Sequence, residues 1–215
     1  MLLETIFYYT YVNVLYYFVG GIMFLIDYYN VFVTNKIQND VTNNIIPMYT
    51  KTLKRVVLNT FVYLIPFCVI GGIYDSGNED AFVMRKCALD LLLSIPMIDV
   101  FFFVFHKLFH TKYLYSYHKK HHEITAPIGI SALYMSPIDM YFGNILPSVL
   151  PAYILHYHPI TIKILIFVAV VNTIAIAHSG FRNVSEFHDH HHSAFNYNFG
   201  TNLFMDRLFG TFKSL

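Results

Sequence analysis

CALDLLLSIPMIDVFFFVFHKLFHTKYLYSYHKKHH (87–122) opens as a hydrocarbon-compatible run and closes in histidine. Up to Phe105 it is apolar except for Asp90 and Asp99, with Pro96 as a predicted kink. Then come His106 and His110, spaced H-x-x-x-H, and His118, His121 and His122, spaced H-x-x-H-H. Imidazole is the commonest metal ligand in proteins. Polar groups beside hydrocarbon are costly and usually functional. The stretch therefore reads as a membrane-spanning helix that carries metal ligands to one membrane face.

Working outward, the same pattern recurs. Residues 5–26 carry no charge and are long enough to span a bilayer core of about 30 Å as a helix. A polar stretch, 34–55, separates them from a second apolar run at 56–74. Residues 133–155 are apolar but broken by Pro137, Pro147 and Pro151, HYHP (156–159) reads as a turn, and 160–177 is a last apolar run holding only Lys163. Charged residues are 13% of the 215, against about 25% in soluble domains. The net charge of +1 gives no reason to propose nucleic acid as a partner. Cys68 and Cys87 read as small apolar-run residues rather than a disulfide. The fold class is all-α: an integral membrane bundle of about four to five spanning or hairpin helices with a histidine-rich metal-binding cap.

Charge placement orients the bundle. The 34–55 loop has Lys36, Lys51, Lys54 and Arg55 against Asp40, whereas DSGNED (75–80) has only acids. The positive-inside rule puts the first in the cytoplasm. Three crossings then deliver His106–His122 to the cytoplasmic face, and a hairpin over 133–177 returns the chain to that face at His178. The last cluster, His188, His191 and His192, repeats the H-x-x-H-H spacing. Nine of the twelve histidines thus share one face, while His156 and His158 lie at the far turn and His190 points away by helical geometry.

An i, i+4 pair shares a helix face, and i, i+3, i+4 reads the same way. Nine nitrogens imply two metals or one crowded site. All-nitrogen ligation fits zinc, iron, copper or nickel and not magnesium or calcium. Non-haem iron is the better reading, because structural zinc favours thiolates and closes at four ligands. The stripe 99, 103, 106, 110 places Asp99 to accept an N–H from a ligating histidine and fix its tautomer. Asp189 and Glu123 are candidates to orient ligands or to pair with Lys119 or Arg207. A transporter would hold its ligands near the membrane midplane; a metal-dependent membrane hydrolase and a scaffold that has lost its metal are the other rival readings.

These boxes, in this order, resemble the fatty acid hydroxylase/sterol desaturase superfamily of membrane di-iron oxygenases. KKHHEITAPIG (119–129), AHSGF (177–181), HHSAFNYNFG (191–200) and MDRLFGT (205–211) are similar to segments of its C-4 methylsterol oxidase and cholesterol 25-hydroxylase branch. The resemblance implies two iron ions held by His106, His110, His118, His121, His122, His178, His188, His191 and His192, with Asp99 matching an acid of the branch. It implies O₂ as co-substrate and electrons from NAD(P)H through a separate protein such as cytochrome b5. It further implies oxidation of a C–H bond in a sterol, or in a fatty acid or sphingolipid, entering laterally from the endoplasmic reticulum bilayer. Residues 1–86 become an N-terminal transmembrane pair and 87–215 the catalytic region, together one integrated domain. Phe187 stands where the branch often has a further histidine, Met205 replaces its Trp, and the nine-residue link between His178 and His188 is short.

Overall fold

The computed structural model describes residues 1–37, 45–78 and 80–214; Asp40 and Glu79, both used in the charge reading, lie outside them. The described chain is all-helical, with no strand and a single isolated bridge between Lys36 and Phe181. The spanning helices are α1 (Leu2–Tyr28), α2 (Ile45–Ser76), α3 (Met84–Phe109) and α6 (Pro159–Ala177), each long and apolar enough to cross a membrane. Between them lie the short α4 (Tyr115–His118) and α5, in which a π-helical turn, Asp139–Ile145, runs into Leu146–Ile154. Helices α7 (Glu186–Ala194) and α8 (Phe204–Leu208) complete the cap. The protein is an integral membrane helical bundle with a histidine-rich cap.

Among the described residues α2 starts at Ile45, so half of the stretch expected to be a polar loop is helix instead. Ile45, Tyr49, Thr52 and Val56 recur at helical spacing and are buried, while Lys51 and Lys54 face outward. That stripe packs on Tyr16 and Met23 of α1 and on Ile128, Ala132, Tyr134 and Ile174. One core thus joins the first two helices to the segment that follows the second histidine box. A helix periodicity hidden among lysines was the signal missed.

The two ends of the bundle have different chemistry. At one end Lys163 pairs with Asp75 at 2.7 Å, Lys86 pairs with Asp90 at 2.6 Å, and His158 approaches the Asp80 carbonyl. Asp80 therefore sits beside the HYHP turn. At the other end Lys36 is buried, with its ammonium 2.6 Å from Asp27 and 2.6 Å from the Ser179 carbonyl. Lys36 is thus a buried ion-pair partner, not a solvated loop charge. Its segment clamps the chain just past His178, with Ile37 N–H donating to the Gly180 carbonyl and Arg182 N–H to that of Asn35.

Candidate metal centre

All nine clustered histidines meet at this second end, in two groups. His106, His110, His118, His122 and His191 form one, and His121, His178, His188 and His192 the other. Within each group the candidate ligand atoms lie within 4.8 Å of one another. His156, His158 and His190 belong to neither; His190 stacks on Tyr197.

The groups cut across the sequence boxes, which corrects the single-face reading of the triplets. α4 ends at His118, and His121 and His122 follow in a 3₁₀ turn. That tighter winding sends His122 back to His118 and His121 to the other group. On α7, His188 and His192 are i, i+4 neighbours and stay together, whereas His191, about 100° around the helix from His192, joins the first group.

The outward nitrogens explain how the inward ones are held. His106 Nδ1 donates to the Phe199 carbonyl (2.9 Å), His191 Nδ1 to Tyr197 (2.7 Å), His178 Nδ1 to Thr173 (2.8 Å) and His192 Nδ1 to Ile124 (2.9 Å). His118 Nδ1 donates to the Asp139 carboxylate at 2.9 Å. With the proton fixed on Nδ1, each Nε2 presents a lone pair. Burial, and then the neighbouring imidazoles, push His110 down to about 2 and hold His118 and His191 well below the ordinary histidine range. Burial likewise pushes His122 to about 3 and His178 to about 4. Near neutrality the ligands are uncharged and ready to bind.

Whether these residues fit a metal can be tested on one pair. His106 Nε2 and His118 Nε2 stand 3.1 Å apart, yet each ring has already committed its proton to Nδ1. No hydrogen remains to share, and two facing lone pairs repel. A cation bound to both removes the conflict. Metal–imidazole bonds of about 2.0–2.1 Å at a right angle place adjacent nitrogens about 3 Å apart. His122 and His118 (3.0 Å), His122 and His110, His188 and His178, and His192 and His188 (each 3.1 Å) repeat this spacing. His191 Nε2 is buried with no partner among the described residues. The residues fit.

Asp99 does not touch a histidine, contrary to the stripe argument. Its oxygens accept from Asn202 N–H (2.6 Å), Thr201 Oγ1 (3.4 Å) and Met205 N–H (3.0 Å). The tail loop returns across α3 and takes up the carboxylate before any imidazole can. Asp206, fully buried, organises the same loop through Phe199 N–H, Gly200 N–H and the Thr211 hydroxyl. A Cβ on Gly200 would stand 2.6 Å from Asp99 Oδ1, so only glycine lets the two carboxylates close on it. These acids act on the site by fixing the loop whose Phe199 carbonyl holds His106. Glu123 accepts from Tyr134 and lies 3.7 Å from Lys120, not Lys119 or Arg207; Arg207 covers the Phe212 ring. Asp189 is buried on α7.

The carboxylate that does reach a ligand, Asp139, was missed. It is the sole acid between Glu123 and Glu186 and lies in a Pro-broken apolar run. A lone acid in such a run was the available signal. Gly143, one π-turn on, leaves the room it occupies.

A cavity of about 590 Å³ opens from both groups along α3, α5 and α6. Its walls are mainly apolar, with Leu92, Ile95, Phe102, Leu165 and Val168 among them. The volume falls within the range of about 300–1,000 Å³ typical of small-molecule sites.

The fatty acid hydroxylase family model matches residues 91–211. Fatty acid hydroxylase domain-containing protein 2 of Macaca fascicularis is 34% identical over 70% of this chain and 46% of its own length. Fatty acid hydroxylase ahd1 of Mycosarcoma maydis is 32% identical over 60% of this chain and 35% of its own. Methylsterol monooxygenase 2-2 of Arabidopsis thaliana is 29% identical over 60% of this chain and 54% of its own. The chain spans about half, or less, of the curated relatives it matches. No solved structure matches it.

Proposed function

Because the chain belongs to the fatty acid hydroxylase family, we propose that it is a membrane-bound non-haem di-iron oxygenase. Its reaction would be hydroxylation or desaturation of a lipid C–H bond. The observation that carries this reading is the His106–His118 pair of facing imidazole nitrogens with no proton between them. His106, His110, His118, His122 and His191 would hold one iron; His121, His178, His188 and His192 would hold the other. Bound there, iron supplies the activation of O₂ and the oxidising power for the C–H bond.

The protein's own work is positional. Phe199 stands edge-on to His106, His110 and His191, with centroids 5.1–5.9 Å away, and Phe195 covers His122 at 4.9 Å. These rings exclude water from the first group. Asp139 keeps the His118 proton on Nδ1 and raises the basicity of Nε2. The apolar cavity takes the lipid from the bilayer side and leads one carbon toward the histidines. A sterol or related lipid is the substrate favoured by the 119–129 and 177–181 segments. An acyl lipid is the second reading, favoured by the likeness to fatty acid hydroxylases. Electrons would come from NAD(P)H through a separate donor such as cytochrome b5. The histidine cap would face the cytoplasm from the endoplasmic reticulum. Lipid profiling of a host expressing wild type or His121→Ala tests the activity: one oxidised lipid should appear with wild type only. Identical profiles would refute the oxygenase reading.

A further inference from the structure

Three polar side chains lining the cavity, those of Asn144, Asn172 and Thr173, make no hydrogen bond among the described residues. Their polar neighbours are already engaged. Ser94 is bonded to Tyr157 and to the Asp90 carbonyl, Ser148 to the Asn144 carbonyl, and Thr201 lies near Asp99. An unpaired carboxamide against hydrocarbon is costly, so a partner brought in from outside is the natural resolution.

Position sharpens this. Asn144 lies five residues into α5 from Asp139, which holds His118, and Asn172 lies six residues before His178 on α6. α5 leaves the cap and α6 returns to it. Each asparagine thus lies little more than one turn along its helix from the residue that anchors it to the cap, Asp139 for Asn144 and His178 for Asn172. Among the described residues no lysine or arginine lines the cavity. A carboxylate or phosphate held at the level of the asparagines would have no lysine or arginine to pair with. Its one counter-charge would be the metal centres beyond them, and burying it there is unfavourable. A hydroxyl, aldehyde or amide meets what the asparagines offer, since each carboxamide both donates and accepts.

We propose that Asn144 and Asn172, with Thr173, hydrogen-bond the uncharged polar group of the lipid substrate. They thereby select neutral lipids over fatty acids and phospholipids, and bring to the metals a carbon several bonds from that group. This rests on the oxygenase reading for its consequence, but the binding itself can be measured alone. The full chain in detergent would be unfolded thermally in the presence of hexadecan-1-ol, hexadecane or ionised hexadecanoate, with maleimide labelling of the buried Cys68 and Cys87 as readout. Hexadecan-1-ol should bind about tenfold more tightly than either competitor. In Asn144→Leu and Asn172→Leu that preference should shrink roughly twofold to tenfold, with hexadecane binding unchanged. Equal binding of alcohol and alkane, or a preference for hexadecanoate, by wild type would overturn the proposal whether or not the variants fold. So would variants that keep the full alcohol preference. Iron content of the same wild-type samples reports separately on the oxygenase reading.

Discussion

The first histidine group draws its imidazoles from α3, α4, the 3₁₀ turn and α7, and is braced from the tail. Asp99 and Asp206 grip the 199–205 loop, whose carbonyl at Phe199, with that of Tyr197, orients His106 and His191, while Asp139 orients His118. The second group has one imidazole fewer and is oriented by the carbonyls of Thr173 and Ile124. Its remote brace is the Asp27–Lys36–Tyr49 network against Ser179, beside His178. Two centres of similar ligand chemistry thus depend on opposite ends of the chain. The lesson is that the histidine boxes supply candidate ligands, while buried ion pairs and carboxylates far away in sequence fix how those imidazoles are grouped.

If that is right, the centres can be damaged separately. Asp206→Ala should do most, because it strands the buried N–H groups of Phe199 and Gly200 at a cost of about 2–6 kcal/mol. Metal per chain should fall by about half, by elemental analysis, with the second group retained. Lys36→Met leaves Asp27 buried without its partner and should cost about 3–5 kcal/mol in denaturant unfolding. Its metal loss should fall on the second group. Adding Asp27→Leu to Lys36→Met should restore most of that stability, since removing both charges relieves the desolvation penalty. Loss from the first group instead would break the comparison.

Asp139→Asn replaces the carboxyl group on His118 Nδ1 with a carboxamide of the same shape. Metal affinity of the first group should drop about 10–100-fold in chelator competition, and that of the second should not change. Gly200→Ala should cost about 1–3 kcal/mol by crowding Asp99 and Asp206. Its effect on metal retention should follow that of Asp206→Ala at smaller amplitude.

Much of this was legible in the sequence, in proportion to how local the physics is. Uncharged runs near twenty residues announce spanning helices because the bilayer sets their length. The four runs at 5–26, 56–74, 87–105 and 160–177 each correspond to a spanning helix. The nine histidines were legible as a set, since spacing and crossing parity depend on the chain alone. Their division between two groups was not, because it turns on the 3₁₀ winding after His118. Asp99 was misassigned for a related reason. Its helix face was read correctly, but the loop that claims it arrives from a hundred residues downstream. Asp139 carries no spacing signal inside its apolar run, and Lys36 reads as a loop charge in the sequence because its partner Asp27 closes the preceding helix.

The five-imidazole and four-imidazole groups are proposed to be two separate metal centres in one cap. The direct measurement is Mössbauer spectroscopy of wild-type protein grown on ⁵⁷Fe, with iron per chain determined on the same sample. About two irons per chain, in two distinguishable signals of equal area, with one signal lost in Asp139→Asn, is the predicted result. A single iron, a tightly held zinc, or two signals that weaken together in Asp139→Asn would contradict it.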